Sequence, residues 1–511
     1  MRLSTLLEGT EIKKMAGGAD IADIGELSIT GLAIDSRRVR AGDLFFALRG
    51  GRADGNAFIT EALGRGAAAV LTDSHGTDRG AATGPVFMEV ADGRLALARI
   101  AANFYGNPSG RMSVVGVTGT NGKTTTALLI REALERLGRK TGLIGTIKYI
   151  VGGRETPAAF TTPEAHDFQR MLREMLEAGQ THAVSEVSSH ALIQRRVDFT
   201  TFSTAVFTNL TRDHLDFHKT MEDYFAAKKL LFTGLLKRGS LSPAVINTDD
   251  PFGLRLAREL LHSGKTRVLG FGMEGDPDIR AVSVRNTASG VRFGLVFKEE
   301  RFTVNSPLVG AHNVYNLLSA FGALIGLGFG ASLAVAAIES LGSVKGRFER
   351  IECGQDFLVV VDYAHTPDAL QRLITAGRAI AGNGRVIVVF GCGGDRDRGK
   401  RPQMGRIAGE MADFVIVTSD NPRSEEPSSI ISEITNGMGG MKVKIIPDRA
   451  EAIKTAIQEV KSPSDVVLIA GKGHEGYQEI NGVRNPFSDQ AAAAEALRMI
   501  ASDGRRNARS S

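Results

Sequence analysis

The chain has 511 residues, 42% of them hydrophobic and 23% charged, with a formal net charge of +5. That length exceeds what one core usually supports and predicts three domains of ordinary size, while the composition excludes a disordered, fibrous or membrane-spanning protein. Part of the small positive excess sits in the tail Arg505-Arg506-Asn507-Ala508-Arg509, so the charge carries no nucleic-acid signal. Cys353 and Cys392 alone cannot form a disulfide framework or a Cys-rich zinc site, which points to a reduced compartment. The stretch Met1-Arg2-Leu3-Ser4-Thr5-Leu6-Leu7-Glu8 meets charge before a signal-peptide core develops, and no apolar run reaches membrane-spanning length. A cytoplasmic protein is expected.

Residues 1–108 alternate short apolar runs such as Leu44-Phe45-Phe46-Ala47-Leu48 with Gly and Asp turns, as in a small α/β domain. The polar cluster Asp35-Ser36-Arg37, taken alone, reads as a turn. Tyr105-Gly106-Asn107-Pro108-Ser109-Gly110 has linker chemistry, and a domain boundary is expected there.

The next run, Val114-Val115-Gly116-Val117-Thr118, breaks into Gly119-Thr120-Asn121-Gly122-Lys123-Thr124-Thr125 and then into apolar residues at helical spacing. The order strand, tight turn, helix start is that of a phosphate cradle: backbone N–H groups and the positive helix end face an anion, and Lys123 adds a charge. Thr124 is a candidate Mg²⁺ ligand. Val117 stands five residues before Gly122, so the loop is a variant of the strict phosphate-loop spacing, with Gly116 and Gly119 as its other glycines.

Further β-rich runs end abruptly in polar residues: Ala183-Val184 into Ser185-Glu186-Val187-Ser188, Val206-Phe207 into Thr208-Asn209-Leu210-Thr211-Arg212-Asp213-His214, and Val245-Ile246 into Asn247-Thr248-Asp249-Asp250. Helical patterns separate them, which implies a parallel sheet with its ligands beyond the carboxyl ends of the strands. Glu186 and His214 are therefore candidates to reach the phosphates and Mg²⁺ at Thr124, although for either residue alone a purely structural role is equally open.

Near residue 343 a third unit begins, with strands before Asp362-Tyr363-Ala364-His365, Gly391-Cys392-Gly393-Gly394, Thr418-Ser419-Asp420-Asn421 and Gly471-Lys472-Gly473-His474-Glu475. A second doubly wound sheet is expected. The Gly391 loop lacks dinucleotide-fingerprint spacing, and Asp395 and Asp397 would oppose a pyrophosphate, so NAD binding is rejected.

Six ordered motifs, Thr118–Thr124, Glu186–His190, Thr208–Asp216, Gly310–Asn316, Gly346–Glu349 and Asp362–Pro367, together resemble the Mur ligase family, the ATP-dependent amide-bond ligases that build the peptide of bacterial cell-wall precursors. The resemblance covers nearly the whole chain. It implies an α/β fold of three domains: a small N-terminal α/β domain that binds the UDP substrate (1–108), a central phosphate-loop ATPase-type sheet (109–342), and a C-terminal Rossmann-like sheet that binds the amino acid (343–511).

Asp420-Asn421-Pro422-Arg423 resembles the signature of the members that add meso-diaminopimelate to UDP-N-acetylmuramoyl-L-alanyl-D-glutamate. Side-chain chemistry supports the same choice. Diaminopimelate differs from lysine by a far carboxylate, which a guanidinium binds in bidentate fashion while it repels a lone ammonium. The family mechanism runs through an acyl phosphate and needs positioning and charge neutralisation rather than an acid–base triad.

Residue by residue, the resemblance implies ATP at Gly119, Thr120, Asn121, Gly122, Lys123, Thr124 and Thr125, with Asn313 near the adenine, Arg347 near the phosphates and Asp362 near the ribose. Lys123, Glu186, His214 and Lys228 are implied to be catalytic, with Thr124, Glu186 and His214 on Mg²⁺ and a carbamylated Lys228 (N6-carboxylysine) helping to hold a second Mg²⁺; the adjacent Lys229 leaves that last assignment open. UDP-dipeptide is implied at Ile34, Ser36, Thr161, Thr162, Ser188, Gln194 and Arg196, whereas Gly51-Arg52-Ala53 departs from the expected His-Gln-Ala. Diaminopimelate is implied at Arg396, Asp420, Asn421, Pro422, Arg423, Gly471 and Glu475. ATP would bridge the second and third domains, whose closure would exclude water from the acyl phosphate. Small-molecule substrates, a monomer, and no nucleic-acid or membrane partner are expected. Competing readings are a lysine-adding ligase, an NTPase without ligase activity, and a basic nucleic-acid module, for which the chain offers no aromatic-basic platform.

Overall fold

The computed structural model describes residues 1–16, 25–50, 53–73, 85–236, 239–287, 290–339, 341–342, 344–441 and 443–510. Its contacts divide the chain into two compact units. One comprises Met1–Thr118, Gly138–Ala205 and Ala227–Ala244; the other comprises Gly119–Leu137, Val206–Ala226 and Val245–Ser511.

In the first unit, a five-stranded sheet has the order Ile12–Ala16, Val86–Val90, Ala69–Thr72, Asp43–Ala47, Gly31–Ala33. All neighbours are parallel except the first pair. The two-residue side-chain period distributes one run to two cores. Leu44 and Phe46 pack with Leu71, Met88, Leu97 and Ile100, while Phe45 and Ala47 pack with Val70, Ile59 and Ala62. Helices Gly93–Phe104 and Ile59–Gly64 cover these opposite faces, and Asp92 caps the longer one by accepting from Leu95 N at 2.9 Å.

The same unit holds the parallel strands Ser113–Thr118, His182–Glu186 and Thr141–Ile144, followed by the antiparallel Lys148–Val151 and Arg154–Pro157. Gly116 lies inside its strand, where an added Cβ would stand 2.8 Å from the Phe202 ring. This glycine serves sheet packing and not the phosphate turn expected of it.

In the second unit, Thr266–Gly272 runs parallel to Ile279–Thr287, and Gly290–Phe297 and Glu300–Ser306 continue as an antiparallel meander. The sequence pattern of strands separated by helices did not anticipate these hairpins. A six-stranded sheet follows in the order Glu349–Arg350, Leu358–Asp362, Val466–Ala470, Val386–Phe390, Phe414–Val417, Lys444–Ile445. It is parallel except for its first pair. Helices Pro367–Ala381, Lys400–Met411 and Pro427–Thr435 bury Leu370, Met404 and Ile431 on one face, and Arg449–Gln458 and Asp489–Ser510 bury Ile453 and Leu497 on the other. The expected second doubly wound sheet is present, and all four expected strands end in the polar loops read from sequence. No helix among the described residues is long and apolar enough to cross a membrane.

Candidate active site

The phosphate-type loop in the second unit is held by the segment after strand Thr204–Phe207. Thr120 N donates to Asn209 O at 2.8 Å, Asn121 N to Asn209 Oδ1 at 2.9 Å, and Thr208 Oγ1 to Asn121 O at 2.7 Å. Thr211 N closes the arrangement on Thr120 Oγ1 at 3.0 Å. Gly119 at φ 148° and Gly122 at φ 86° are the two positions that need glycine. A Cβ on Gly119 would collide with the Thr208 hydroxyl, and one on Gly122 would stand 2.6 Å from Asn316 Oδ1. Helix Lys123–Arg136 then starts with no side-chain cap, at the kind of strand-to-helix turn that ordinarily holds an anion. Lys123 Nζ donates to Gly119 O at 3.0 Å and Thr120 O at 2.8 Å, so its ammonium lies against the loop.

Residues distant in sequence complete this end of the unit. Arg347 Nη2 donates to Thr124 Oγ1 at 3.1 Å, and its guanidinium lies 4.5 Å above the Tyr363 ring. Asp362 Oδ2 accepts from Phe348 N at 2.7 Å, and burial pushes its carboxyl up, with Arg347 opposing. Asn313 donates to Val309 O at 2.7 Å and accepts from Asn316 Nδ2 at 2.9 Å, while Asn316 Oδ1 accepts from Thr126 Oγ1 at 3.2 Å. Asn121 Nδ2 also reaches Asp368 Oδ2 at 2.7 Å. Asn316, Asp368 and Asn209 were missed as site residues; Asn209 and Asn316 lay within quoted motifs, and the Asn313-x-x-Asn316 spacing on a helix was the available signal for the latter.

His214 has a left-handed backbone at φ 54°, and its Nε2 lies 3.3 Å from Asp213 Oδ2. Burial pushes the Asp213 carboxyl up, but His214, His365, Lys400 and Lys123 hold it below its usual range. His365 Nδ1 lies 2.8 Å from Tyr363 O, which places its proton there, since a carbonyl only accepts; burial pushes this imidazole down to about 4.

The first unit gathers another set. Glu186 is buried and accepts from Thr146 N at 2.7 Å and Thr146 Oγ1 at 3.0 Å, an approach made possible by Gly145, whose Cβ would stand 2.7 Å from Glu186 Oε1. Thr161 joins through Thr146 Oγ1 at 3.1 Å. Thr162 donates to Glu186 O at 2.8 Å and accepts from Ser188 N at 3.1 Å, and Arg196 donates to Thr162 O at 2.9 Å. Gln194, on the following turn, buries an Oε1 with no hydrogen-bond partner among the described residues. Lys228, at 1% exposure, is buried, whereas Lys229 is partly exposed. The expected metal residues thus divide, with Glu186 and Lys228 in one unit and Thr124 and His214 in the other. Among the described residues, no three His, Cys, Asp or Glu side chains form a group that could hold a metal by themselves.

Ser36 opens a short 3-10 turn capped by Asp35, and its hydroxyl donates to Glu61 Oε2 at 2.6 Å. Ile34 is exposed beside it. Gly51 and Arg52 lie outside the described residues, while Ala53 O accepts from Gly50 N at 2.9 Å.

Between the loops after the C-terminal strands, Arg423 adopts φ 53° and donates from Nη1 to Gly394 O at 2.6 Å. Its guanidinium lies over Gly393, where a Cβ would stand 2.9 Å from Nη1. Arg396 donates to its neighbour Asp395 O at 2.9 Å. Pro422 O accepts from Glu425 N at 3.0 Å, and Glu425 Oε1 accepts from Asp395 N at 2.6 Å, so the loops carrying Arg396 and Arg423 are tied together. Fully buried Arg401 reinforces them by donating to Glu425, Glu433 and Gly393 O. Asp420, Asn421 and Glu475 form a second pole, with Asn421 Nδ2 donating to Glu475 Oε2 at 2.8 Å. Gly471, at φ 115°, leaves open the place where a Cβ would stand 2.5 Å from Asp420 Oδ2.

Comparison with known proteins gives three successive family matches: Mur ligase family, catalytic domain, at residues 28–105; Mur ligase middle domain at 117–324; and Mur ligase, glutamate ligase domain, at 346–473. The chain belongs to the Mur ligase family. A UDP-N-acetylmuramoyl-L-alanyl-D-glutamate--2,6-diaminopimelate ligase of Solibacter usitatus is 48% identical to this Mur ligase over 480 residues, 93% of this chain and 95% of the relative. A solved diaminopimelate ligase of the same description superposes with a TM-score of 0.68 at 34% identity, over 98% of this chain and 99% of that one. The MurF ligase of Thermotoga maritima, solved in complex with ADP, has the same fold at 22% identity and a TM-score of 0.61, over 92% of this chain and 96% of that one. The three-domain α/β architecture expected of the family is that of this chain.

Proposed function

We propose that this Mur ligase joins meso-diaminopimelate to UDP-N-acetylmuramoyl-L-alanyl-D-glutamate with hydrolysis of ATP to ADP and phosphate, in the synthesis of peptidoglycan precursor. The observation that carries this reading is the near full-length 48% identity to a ligase of that description, in a chain whose Arg423 and Asp420 offer a guanidinium and a carboxylate within one loop cluster. The far end of diaminopimelate carries both a carboxylate and an ammonium, and lysine carries only the ammonium.

In the reaction, a D-glutamate γ-carboxylate oxygen attacks the γ-phosphorus of ATP and ADP leaves. The amine of diaminopimelate then attacks the acyl carbon, loses a proton, and expels phosphate. The loop Gly119–Thr125 and Arg347 hold and neutralise the phosphates, Asp362 takes the ribose and Asn313 the adenine. Thr161, Thr162, Ser188, Gln194 and Arg196, with Ile34 and Ser36, take the UDP-dipeptide. Positioning and charge neutralisation carry most of the rate in such chemistry.

A hydroxyl, a carboxylate and phosphate oxygens suit Mg²⁺, which is usually held by few protein ligands together with substrate and water. Thr124, Glu186 and His214 are the candidates for it, and Lys228, as a carbamate, is the candidate for a second Mg²⁺. Burial sets Lys228 apart from the partly exposed Lys229 as the candidate for that modification. Mg²⁺ supplies neutralisation of the oxygens between which the phosphoryl group passes. The enzyme is read as a cytoplasmic monomer, in the compartment where ATP and UDP-linked precursors are held.

The test is ATP-dependent phosphate release with the UDP-dipeptide and either meso-diaminopimelate or L-lysine, with mass spectrometry of the product. A tripeptide formed with diaminopimelate alone is expected. Turnover with lysine would remove the selectivity argument, and ATP hydrolysis indifferent to both would remove the ligase assignment.

A further inference from the structure

Lys472 has no role in the site as assigned so far, yet it is completely buried at its centre. Its ammonium donates to Asn421 Oδ1 at 2.9 Å and Glu475 Oε2 at 3.2 Å, and lies 3.6 Å from Asp420 Oδ1. A buried ammonium is held charged only where acceptors replace its water, and here an amide oxygen and two carboxylates do so.

The geometry has two consequences. Asn421 Oδ1 also accepts from Glu479 N at 3.0 Å, so Lys472 and that N–H together orient the amide and turn Nδ2 onto Glu475 Oε2 at 2.8 Å. Glu475 Oε2 therefore receives two donors, whereas Glu475 Oε1 and the Asp420 carboxylate receive no hydrogen bond from any described residue. The charge count is the second consequence. Asp420, Glu475 and Lys472 leave one net negative charge, and the nearby Arg449 is neutralised by Asp489 at 2.7 Å.

We propose that Lys472 is the positioning residue of the amino-acid pole: it holds the Asp420 and Glu475 carboxylates side by side and aims the oxygens that accept no hydrogen bond at a single substrate ammonium. The inference rests on the reading of this pole as the diaminopimelate site. A substrate amino group there would meet the acceptors that Lys472 leaves open, while Arg423, whose Nε lies 3.9 Å from Glu479 Oε2, and Arg396 offer guanidiniums on the adjoining loops.

Lys472 is one of the groups that set the charge of Glu475. It is faced by Asp420, Lys472 and Asn421, by Tyr363 and Tyr477, and by Arg449; burial and Asp420 push its carboxyl up, with Lys472 and Asn421 opposing. Removing the Lys472 charge moves the Glu475 titration to higher pH.

The experiment compares wild type, K472M, K472R, E475Q and K472M/E475Q by steady-state ligation from pH 6 to 9, varying amino acid, ATP and UDP-dipeptide in turn, with thermal melting of each variant. K472M is expected to raise KM for meso-diaminopimelate by roughly 30-fold or more, with KM for ATP and UDP-dipeptide unchanged. Its acid limb should move to higher pH, K472R should restore the wild-type limb, and K472M/E475Q should lose the limb. A K472M acid limb identical to wild type, or equal KM losses for all three substrates, overturns the proposal. If K472M loses its cooperative melt, K472R and E475Q decide: a shifted limb in K472R, or a wild-type limb in E475Q, overturns it equally. Failure of wild type to use diaminopimelate instead overturns the proposed function, and this inference with it.

Discussion

Arg347 Nη2 donates to Thr124 Oγ1 at 3.1 Å, which joins the hydroxyl following the phosphate-loop lysine to a guanidinium 223 positions later in the chain. Both side chains are assigned to the same nucleotide, one to Mg²⁺ and the other to phosphate, so MgATP must exchange this bond for its own contacts. R347A is expected to lower kcat by about 10²-fold, as loss of one preorganised charge donor does, and to raise KM for ATP. R347K should recover only part, because a point charge cannot reproduce the planar fork that lies over Tyr363. Wild-type kinetics in R347A would remove Arg347 from the phosphate site.

G119A is expected to abolish nucleotide binding while leaving a folded protein. Gly119 combines φ 148° with contact against the Thr208 hydroxyl, so a methyl group must displace the segment that fixes Thr120 and Asn121. Titration calorimetry with an ATP analogue, beside a melting curve, measures both effects. Retained binding would show that the loop tolerates a wider turn.

R423A should reduce kcat/KM for meso-diaminopimelate by about 10²-fold or more, with much smaller effects on UDP-dipeptide and ATP. Lysine use should fall less than diaminopimelate use, because lysine has no far carboxylate for the guanidinium. Equal losses for all substrates would remove the selective role.

K228A should nearly abolish ligation, and short carboxylates such as acetate or formate should restore part of it by replacing the carbamate oxygens. K229A should retain most activity, since Lys229 lies on the more exposed side of the same helix. Full activity in K228A would eliminate the carbamate.

The acid side of the stability curve has an identifiable contributor. Glu425 is drawn down to about 2, chiefly by the hydrogen bond from Arg401, with burial opposing. Its folded value lies below the ordinary carboxylate value of ~4.3, so its stabilisation is complete above that pH and is lost as pH falls toward 2. R401M should therefore flatten the loss of stability between about pH 4.5 and 2. At neutral pH it should destabilise by about 1–3 kcal/mol, below the figure for a fully buried pair because Glu425 and Glu433 retain 21% and 23% of their side-chain exposure. Urea unfolding at several pH values measures both effects, and an unchanged acid limb would assign it to other carboxylates.

Local chemistry made the strands and the polar loops beyond them legible in the sequence. Val386–Phe390 and Val466–Ala470 are apolar runs buried on both faces, and the residues after them must leave the sheet, so strand ends and candidate ligands coincide in the chain itself. The phosphate loop was legible for the same reason, because Gly, Lys and Thr at a strand-to-helix turn act through local backbone geometry. Arg423 could be assigned a carboxylate from its guanidinium chemistry and its motif.

Tertiary structure decided what depends on distant partners. Gly116 looked like part of the phosphate turn, but Phe202 explains it; Asn316 and Asp368 reach the loop from other helices; and Lys472 carries no signal in Gly471-Lys472-Gly473 until Asp420, Asn421 and Glu475 are found around its ammonium. The antiparallel meander at 279–306 likewise emerges from strand pairing rather than from any one segment's period. Periodicity and turn chemistry act within a few residues and are written in order along the chain. The charge state of a buried group and the direction of its hydrogen bonds belong to its neighbours in space, and those were determined only by the fold.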